Sequence, residues 1–411
     1  MTVPHRSRSH ALALDAASPL ADRRALFDLP DEVSYLCGNS LGALPRAVPS
    51  RVAEAVQQEW GRQLVGAWNS AGWTTLAERA ATRISALIGA RPEDVNLSDS
   101  TSVTLFKLLV AGARLRPDRR VLMVEPTTFP TDGYVAAGVA RTLGLEVRWC
   151  DPADPAAALD EDVAVLCLTH VDFRTGAMYD LPAITAAAHD SGVIMLWDLC
   201  HSAGAVPVDL AGAGADLAVG CTYKYLNGGP GSPAFGYVAP VHQDVLDQPV
   251  TGWWGHAEPF AMTRDYSPAS GIRRLTVGTP PVLALTALDA ALTVFDDVSP
   301  GDLRAQSLSL TDLFIDLVDA RLPGLEVVTP RDHGRRGSHV SLRHPAAYGI
   351  VQALIARGVV GDFRTPDIAR FGLAPLYVRH VDVYDAVDQL AAVLESAEHE
   401  RPEYRTRLAV T

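Results

Sequence analysis

Lysine is scarce in this chain: of 35 basic residues only Lys107 and Lys224 are lysines, and the rest are arginines. Arginine stays protonated, whereas a desolvated lysine can lose its proton and form an imine. Lys224 follows the apolar run 216–220 and precedes the glycine-rich turn 227–231. Upstream, the apolar run 193–197 ends on Asp198, with His201 three residues on. In open α/β sheets, ligands sit beyond the carboxyl ends of strands. An acid beyond one strand and an amine beyond the next therefore suggest one site. An imine-forming lysine and an aspartate that keeps a pyridine nitrogen protonated are what a protein contributes to pyridoxal phosphate (PLP). A loop cap or an ion pair is the alternative use of one lysine. The two-lysine inventory and the Asp198/His201 context favour the cofactor.

The elements that must position these groups alternate along the chain. Residues 193–197 form a buried parallel strand, as do 121–124 and 163–168. Residues 146–149 add a strand, and helices at 134–143 and 181–189 separate them. Residues 95–97 form a strand ending in Ser98-Asp99-Ser100-Thr101-Ser102, where a helix begins. That start is either an anion site suited to a phosphate or a plain N-cap. Lys107, mid-helix, reads as a snorkelling surface lysine. Phe129 stacks on a flat cofactor or fills the core. Gly38-Asn39-Ser40-Leu41-Gly42 is a turn with hydrogen-bonding groups, and an amphipathic helix spans 45–64. Trp68 and Trp73 read as packing. Arg370 clamps a substrate carboxylate or forms a surface ion pair. Helices at 282–295 and 302–320 lead to short strands and helices from 322 onward, a separate α+β unit.

At 411 residues two domains are expected, and 48% apolar against 20% charged residues is ordinary for a globular protein. A net charge of −13 argues against nucleic-acid binding. No apolar stretch has membrane-spanning length. The basic N-terminal stretch is broken by Asp15 and does not read as a signal peptide. Five cysteines without metal-ligand spacing suit a reducing cytoplasm and no metal site.

Seven motifs in order, GNSLG (38–42), FPTD (129–132), DLCHSAG (198–204), TYKYLNGGPG (222–231), GWWGH (252–256), GTPP (278–281) and ARFGLAPLY (369–377), resemble the kynureninase family over nearly the whole chain. The resemblance implies an α/β PLP enzyme of fold type I, with a mainly parallel sheet flanked by helices and a smaller α+β C-terminal domain. It implies an N-terminal segment (1–50) packing with the small domain, a PLP-binding domain (51–281), and a linking helix with the small domain (282–411). The activity implied is hydrolysis of L-kynurenine to anthranilate and L-alanine in tryptophan breakdown, by a cytoplasmic homodimer with its site at the subunit boundary. Lys224 would tether the cofactor, Asp198 would hold the pyridine nitrogen, and Tyr223 is a candidate proton relay. His201, Phe129, Asp132, Thr101, Ser102, Thr169, Trp253 and Thr279 would complete the cofactor pocket. Arg370, Ser40, Trp68 and Gly278 would face the substrate. Animal members look to carry His, Ser and Asn where this chain has Trp68, Gly278 and Thr279, which implies a preference for kynurenine over its 3-hydroxy form. Alternatives are another fold type I lyase or desulfurase, or an inactive PLP-fold binding protein. Desulfurases need a reactive cysteine on a mobile loop, and no cysteine follows Cys221.

Overall fold

The computed structural model describes residues 7–407. The basic start of the N-terminal stretch, residues 1–6, lies outside them. A seven-stranded sheet forms the centre, in the order Val95–Leu97, Phe235–Val238, Leu217–Gly220, Ile194–Asp198, Val163–Thr169, Val121–Val124, Glu146–Trp149. All its pairings are parallel except the two made by Phe235–Val238. The four strands from Val121–Val124 to Leu217–Gly220 are buried throughout, which explains their unbroken apolar runs. Trp197 is fully buried, and its indole N–H donates to Thr185 Oγ1 at 3.0 Å. That bond ties the strand ending in Asp198 to the helix Leu181–Asp190.

A second, antiparallel sheet runs Asp362–Arg364, Ile368–Gly372, His339–Arg343, Glu326–Val327. The long helix Pro300–Arg321 and the helix His380–Glu395 pack on this part of the chain. The N-terminal helix Arg8–Ala17 lies against His380–Glu395, where Asp15 accepts from the backbone N–H groups of His380 (2.6 Å) and Val381 (3.0 Å). Those N–H groups begin a helix and have no partner within it. Ser34–Tyr35 pairs in parallel with Val359–Val360.

Two local expectations fail. The helix expected over 45–64 is α-helical only at Ala47–Glu54 and continues as a π-helix through Ala55–Gln63, ending where Leu64 takes φ 53°. Lys107 does not snorkel. It is fully buried, because the helix Thr101–Arg114 is covered over most of its length. Its Nζ donates to Leu275 O (2.6 Å), Asp99 Oδ2 (2.7 Å) and Ser98 Oγ (3.1 Å). The second lysine is thus a structural tie between the helix start and residue 275.

Burial also leaves two histidines neutral. His170 is pulled down to about 4 and His339 to about 3, in both cases mainly by burial. The unfolded chain binds protons at these sites from about pH 6.5 downward, and the folded chain does not until pH 4 to 3. Their contribution to stability is therefore complete above pH 6.5 and is lost across that window as pH falls. Each site costs about 1.4 kcal/mol per pH unit in its window. Urea midpoints should drop between pH 6.5 and 4, and His170→Phe should flatten the slope. An unchanged slope in that variant would show the histidine to be solvated.

Candidate active site

Strand ends of the central sheet, two strands of the second sheet and the turn at 39–40 converge on a cavity of about 210 Å³ lined by Lys224, Asp198, His201 and Tyr223. Asp198 ends the strand Ile194–Asp198 and Thr169 ends its neighbour, in register. Lys224 sits in the loop after Leu217–Gly220, the neighbour on the other side. The turn after it needs left-handed backbone at Asn227, Gly229 and Gly231. Gly42 accounts for part of the 38–42 motif: its N–H donates to Tyr223 O at 2.8 Å, and a side chain there would collide with Lys224 O.

Lys224 Nζ lies 3.0 Å from His201 Nε2. Burial disfavours the lysine's charge, but Cys221, Cys200, Tyr223 and Asp198 together outweigh it and hold the amine above its ordinary value. His201 is pushed well down by burial and by the charge of Lys224, so it is a neutral ring, and its Nδ1 is buried without a partner. Burial, then Cys221, pushes the Tyr223 phenol up to about 12, which keeps it a proton donor.

Asp198 and Asp132 have different settings. Asp198 Oδ1 accepts from Cys200 N at 2.7 Å. Asp132 Oδ2 receives the hydroxyls of Thr128 (2.9 Å) and Thr169 (3.3 Å), and burial, then the charge of Asp198, drives its carboxyl well up. Burial and the neighbouring acid thus favour the protonated form of Asp132. Phe129 caps the helix Pro130–Leu143, whose first residue is proline; its ring is 45% exposed and meets Phe173 edge-on at 5.3 Å. Of the two readings of the helix start at 100–102, the N-cap is seen directly. Ser100 is the N-cap, accepting from Val103 N, while Thr101 and Ser102 line the cavity.

On the far wall, Arg370 is fully buried. It is no surface ion pair: Nε and Nη2 donate to Asp362 at 2.8 and 2.6 Å, Nη2 also to Ser40 Oγ at 2.8 Å, and Nη1 to Phe173 O. Asp362 and Arg364 went unnoticed in the sequence. They alternate on one short strand, and Asp362 pairs directly with Arg370 across the ladder.

The single chain does not bring every candidate here. Gly278 and Thr279 line a separate hollow of about 400 Å³ with Trp254 and Asn96, and Trp253 lines a third of about 340 Å³. Trp68 packs against Trp73 (5.6 Å) and Trp254 (5.5 Å). These four belong to the segments 67–73 and 251–281, and none of them lines the Lys224 cavity.

The Lys224 cavity suits PLP by its donor set. An amine and a carboxylate face one space, an exposed ring stands at its mouth, hydroxyls begin a helix, and His201 Nδ1 is left without a partner.

Residues 303–390 match the family model for the kynureninase C-terminal domain. The chain is 50% identical over 415 residues to kynureninase of Burkholderia mallei (strain SAVP1), covering 99% of this chain and 100% of that one. It is 49% identical over 414 residues to kynureninase of Pseudomonas fluorescens, covering 98% and 100%. Among solved structures it is similar to an apo cysteine desulfurase from Thermococcus onnurineus NA1, with TM-score 0.77, 18% identity, and 92% and 97% of the two chains covered. A mutant of C-DES with glycine covalently linked to its PLP cofactor gives TM-score 0.75 at 18% identity, covering 90% and 98%.

Proposed function

The chain belongs to the kynureninase family, and from that premise we propose that it hydrolyses L-kynurenine to anthranilate and L-alanine with Lys224 as the cofactor-bearing residue. The observation that carries this reading is the placement of Lys224 and Asp198 at adjacent strand ends of one cavity, opposite a buried arginine. When bound, PLP supplies an electron sink for the carbanion at the substrate Cα and for cleavage of the Cβ–Cγ bond. Asp198 would hold the pyridine nitrogen. Thr101 and Ser102, at a helix start that lines the cavity, would hold the phosphate. Phe129, exposed and lining the cavity, would cover one face of the ring. Lys224 would tether the cofactor and, once freed, would be the base for the Cα proton, with neutral His201 at 3.0 Å placed to share it. Tyr223, which keeps its proton at neutral pH, donates at the phosphate end. Arg370 orients the amino-acid carboxylate. Water adds to the aryl ketone, anthranilate leaves with Cγ, and protonation of the three-carbon fragment gives alanine.

Trp68, Trp253, Gly278 and Thr279 reach this cavity from a second copy of the chain. The string of exposed aromatics they adjoin supports this: Trp253 is 40% exposed and Phe260 69%. Mixing inactive Lys224→Ala chains with inactive Thr279→Arg chains should restore part of the activity, because a hybrid dimer has one intact site. No restoration from a verified hybrid would place each site within one chain. Among the described residues no helix is long and apolar enough to cross a membrane. The acidic net charge and five free cysteines support a cytoplasmic setting.

The assay is anthranilate fluorescence from L-kynurenine, with sulfide release from cysteine as the counter-test. Anthranilate without sulfide is the expected result. Sulfide without anthranilate would make the chain a desulfurase, and neither product a binding protein. Kynurenine is the preferred substrate over 3-hydroxykynurenine, because Trp68 offers the ring an apolar face. Trp68→His combined with Gly278→Ser and Thr279→Asn should shift the ratio of kcat/KM toward the hydroxylated substrate by roughly 10-fold or more. A ratio that does not move would remove these residues from specificity.

A further inference from the structure

We propose that Arg364 is a second substrate-binding guanidinium, holding the amino-acid carboxylate jointly with Arg370. The inference rests on the reading of this cavity as an α-amino-acid site. A guanidinium has five N–H donors, and a carboxylate gripped in bidentate fashion takes two. Arg370 makes four hydrogen bonds, three of them to Asp362 and Ser40 and one to Phe173 O, so it has one N–H left. It cannot make a two-point grip alone. Arg364 makes three, from Nη2 to Asp362 Oδ2 (2.9 Å) and Ser40 Oγ (2.9 Å) and from Nη1 to Phe363 O (2.9 Å), and keeps two. Both arginines line the cavity beside Ser40.

Charge points the same way. Asp362 is almost wholly buried, and the two guanidiniums with Ser40 hold its carboxyl below the ordinary range against the cost of burial. Two cations therefore share one anion, and one positive charge is left over. Arg364's side chain is 30% exposed and lines the cavity, and a substrate carboxylate settled between the two arginines cancels the surplus charge. Asp362 and Ser40 are then the spacer that keeps the two guanidiniums apart and aligned.

The test uses the PLP-loaded enzyme. L-Alanine and L-alaninamide, which lacks the carboxylate, are titrated against the visible absorbance of the cofactor in wild type, Arg364→Gln, Arg364→Lys and Arg370→Gln. Arg364→Gln should weaken L-alanine by roughly 10- to 100-fold, the loss of charge-assisted hydrogen bonds, and leave L-alaninamide within about 2-fold. Arg364→Lys should recover part of the loss, and it carries the comparison alone if the glutamine variant does not fold. Unchanged L-alanine binding in the Arg364 variants, with Arg370→Gln impaired, overturns the inference and leaves the proposed function standing. Equal weakening of both ligands assigns Arg364 a structural role and overturns it as well. Selective loss of L-alanine in an enzyme that makes no anthranilate upholds the inference and removes the proposed reaction.

Discussion

Lys224→Ala should lose at least about 10⁴-fold in turnover of L-kynurenine, along with the visible absorbance of bound cofactor, because it removes both the covalent attachment and the base at Cα. The far-UV circular dichroism should not change. Lys224 makes one side-chain hydrogen bond, to His201, and the turn around it is held by backbone bonds such as Asn227 N to Lys224 O at 2.9 Å and Gly228 N to Thr222 O at 2.8 Å. Added methylamine should restore a small part of the proton transfer, since a free amine can occupy the space the side chain leaves. A variant that kept both turnover and the visible absorbance would end the assignment.

The second large effect separates two neighbouring acids. Asp198→Ala should cost roughly 10³-fold in kcat/KM, because it takes away the anion that keeps the pyridine nitrogen protonated. Asp132→Asn should stay within about 10-fold. Burial and the charge of Asp198 favour the protonated form of Asp132, and an amide replaces that form with little change in shape or charge. The amide oxygen still accepts from Thr128 and Thr169, which now donate to Asp132 Oδ2. Steady-state rates for the two variants give the answer. Equal losses would mean that Asp132 carries a negative charge in the working site.

The central sheet could be read along the chain because strands buried on both faces write themselves as short apolar runs, and chemistry at their ends is then placed by topology. That reasoning brought Lys224, Asp198, His201 and Thr169 to one cavity. It failed where contacts cross the chain. Asp362 meets Arg370 through strand register, and nothing in the linear spacing announces that pairing. Lys107 sits in an apolar stretch that reads equally as an amphipathic or a buried helix, and only the cover from residue 275 decides it. The π-helical turn of Ala55–Gln63 has nearly the same apolar spacing as an α-helix. Trp253, Gly278 and Thr279 were found in motifs and Trp68 through the resemblance alone, but neither says which copy of the chain a residue serves.

The scarcity of lysine makes one measurement decisive. The PLP-loaded protein is treated with borohydride, which fixes an imine as a stable amine, then digested and analysed by mass spectrometry. Only two lysine-bearing sites exist, Lys224 in the cavity and Lys107 in the helix behind it. The reduced cofactor should be found on the peptide containing Lys224. Label on the peptide containing Lys107, or on neither, would contradict the account.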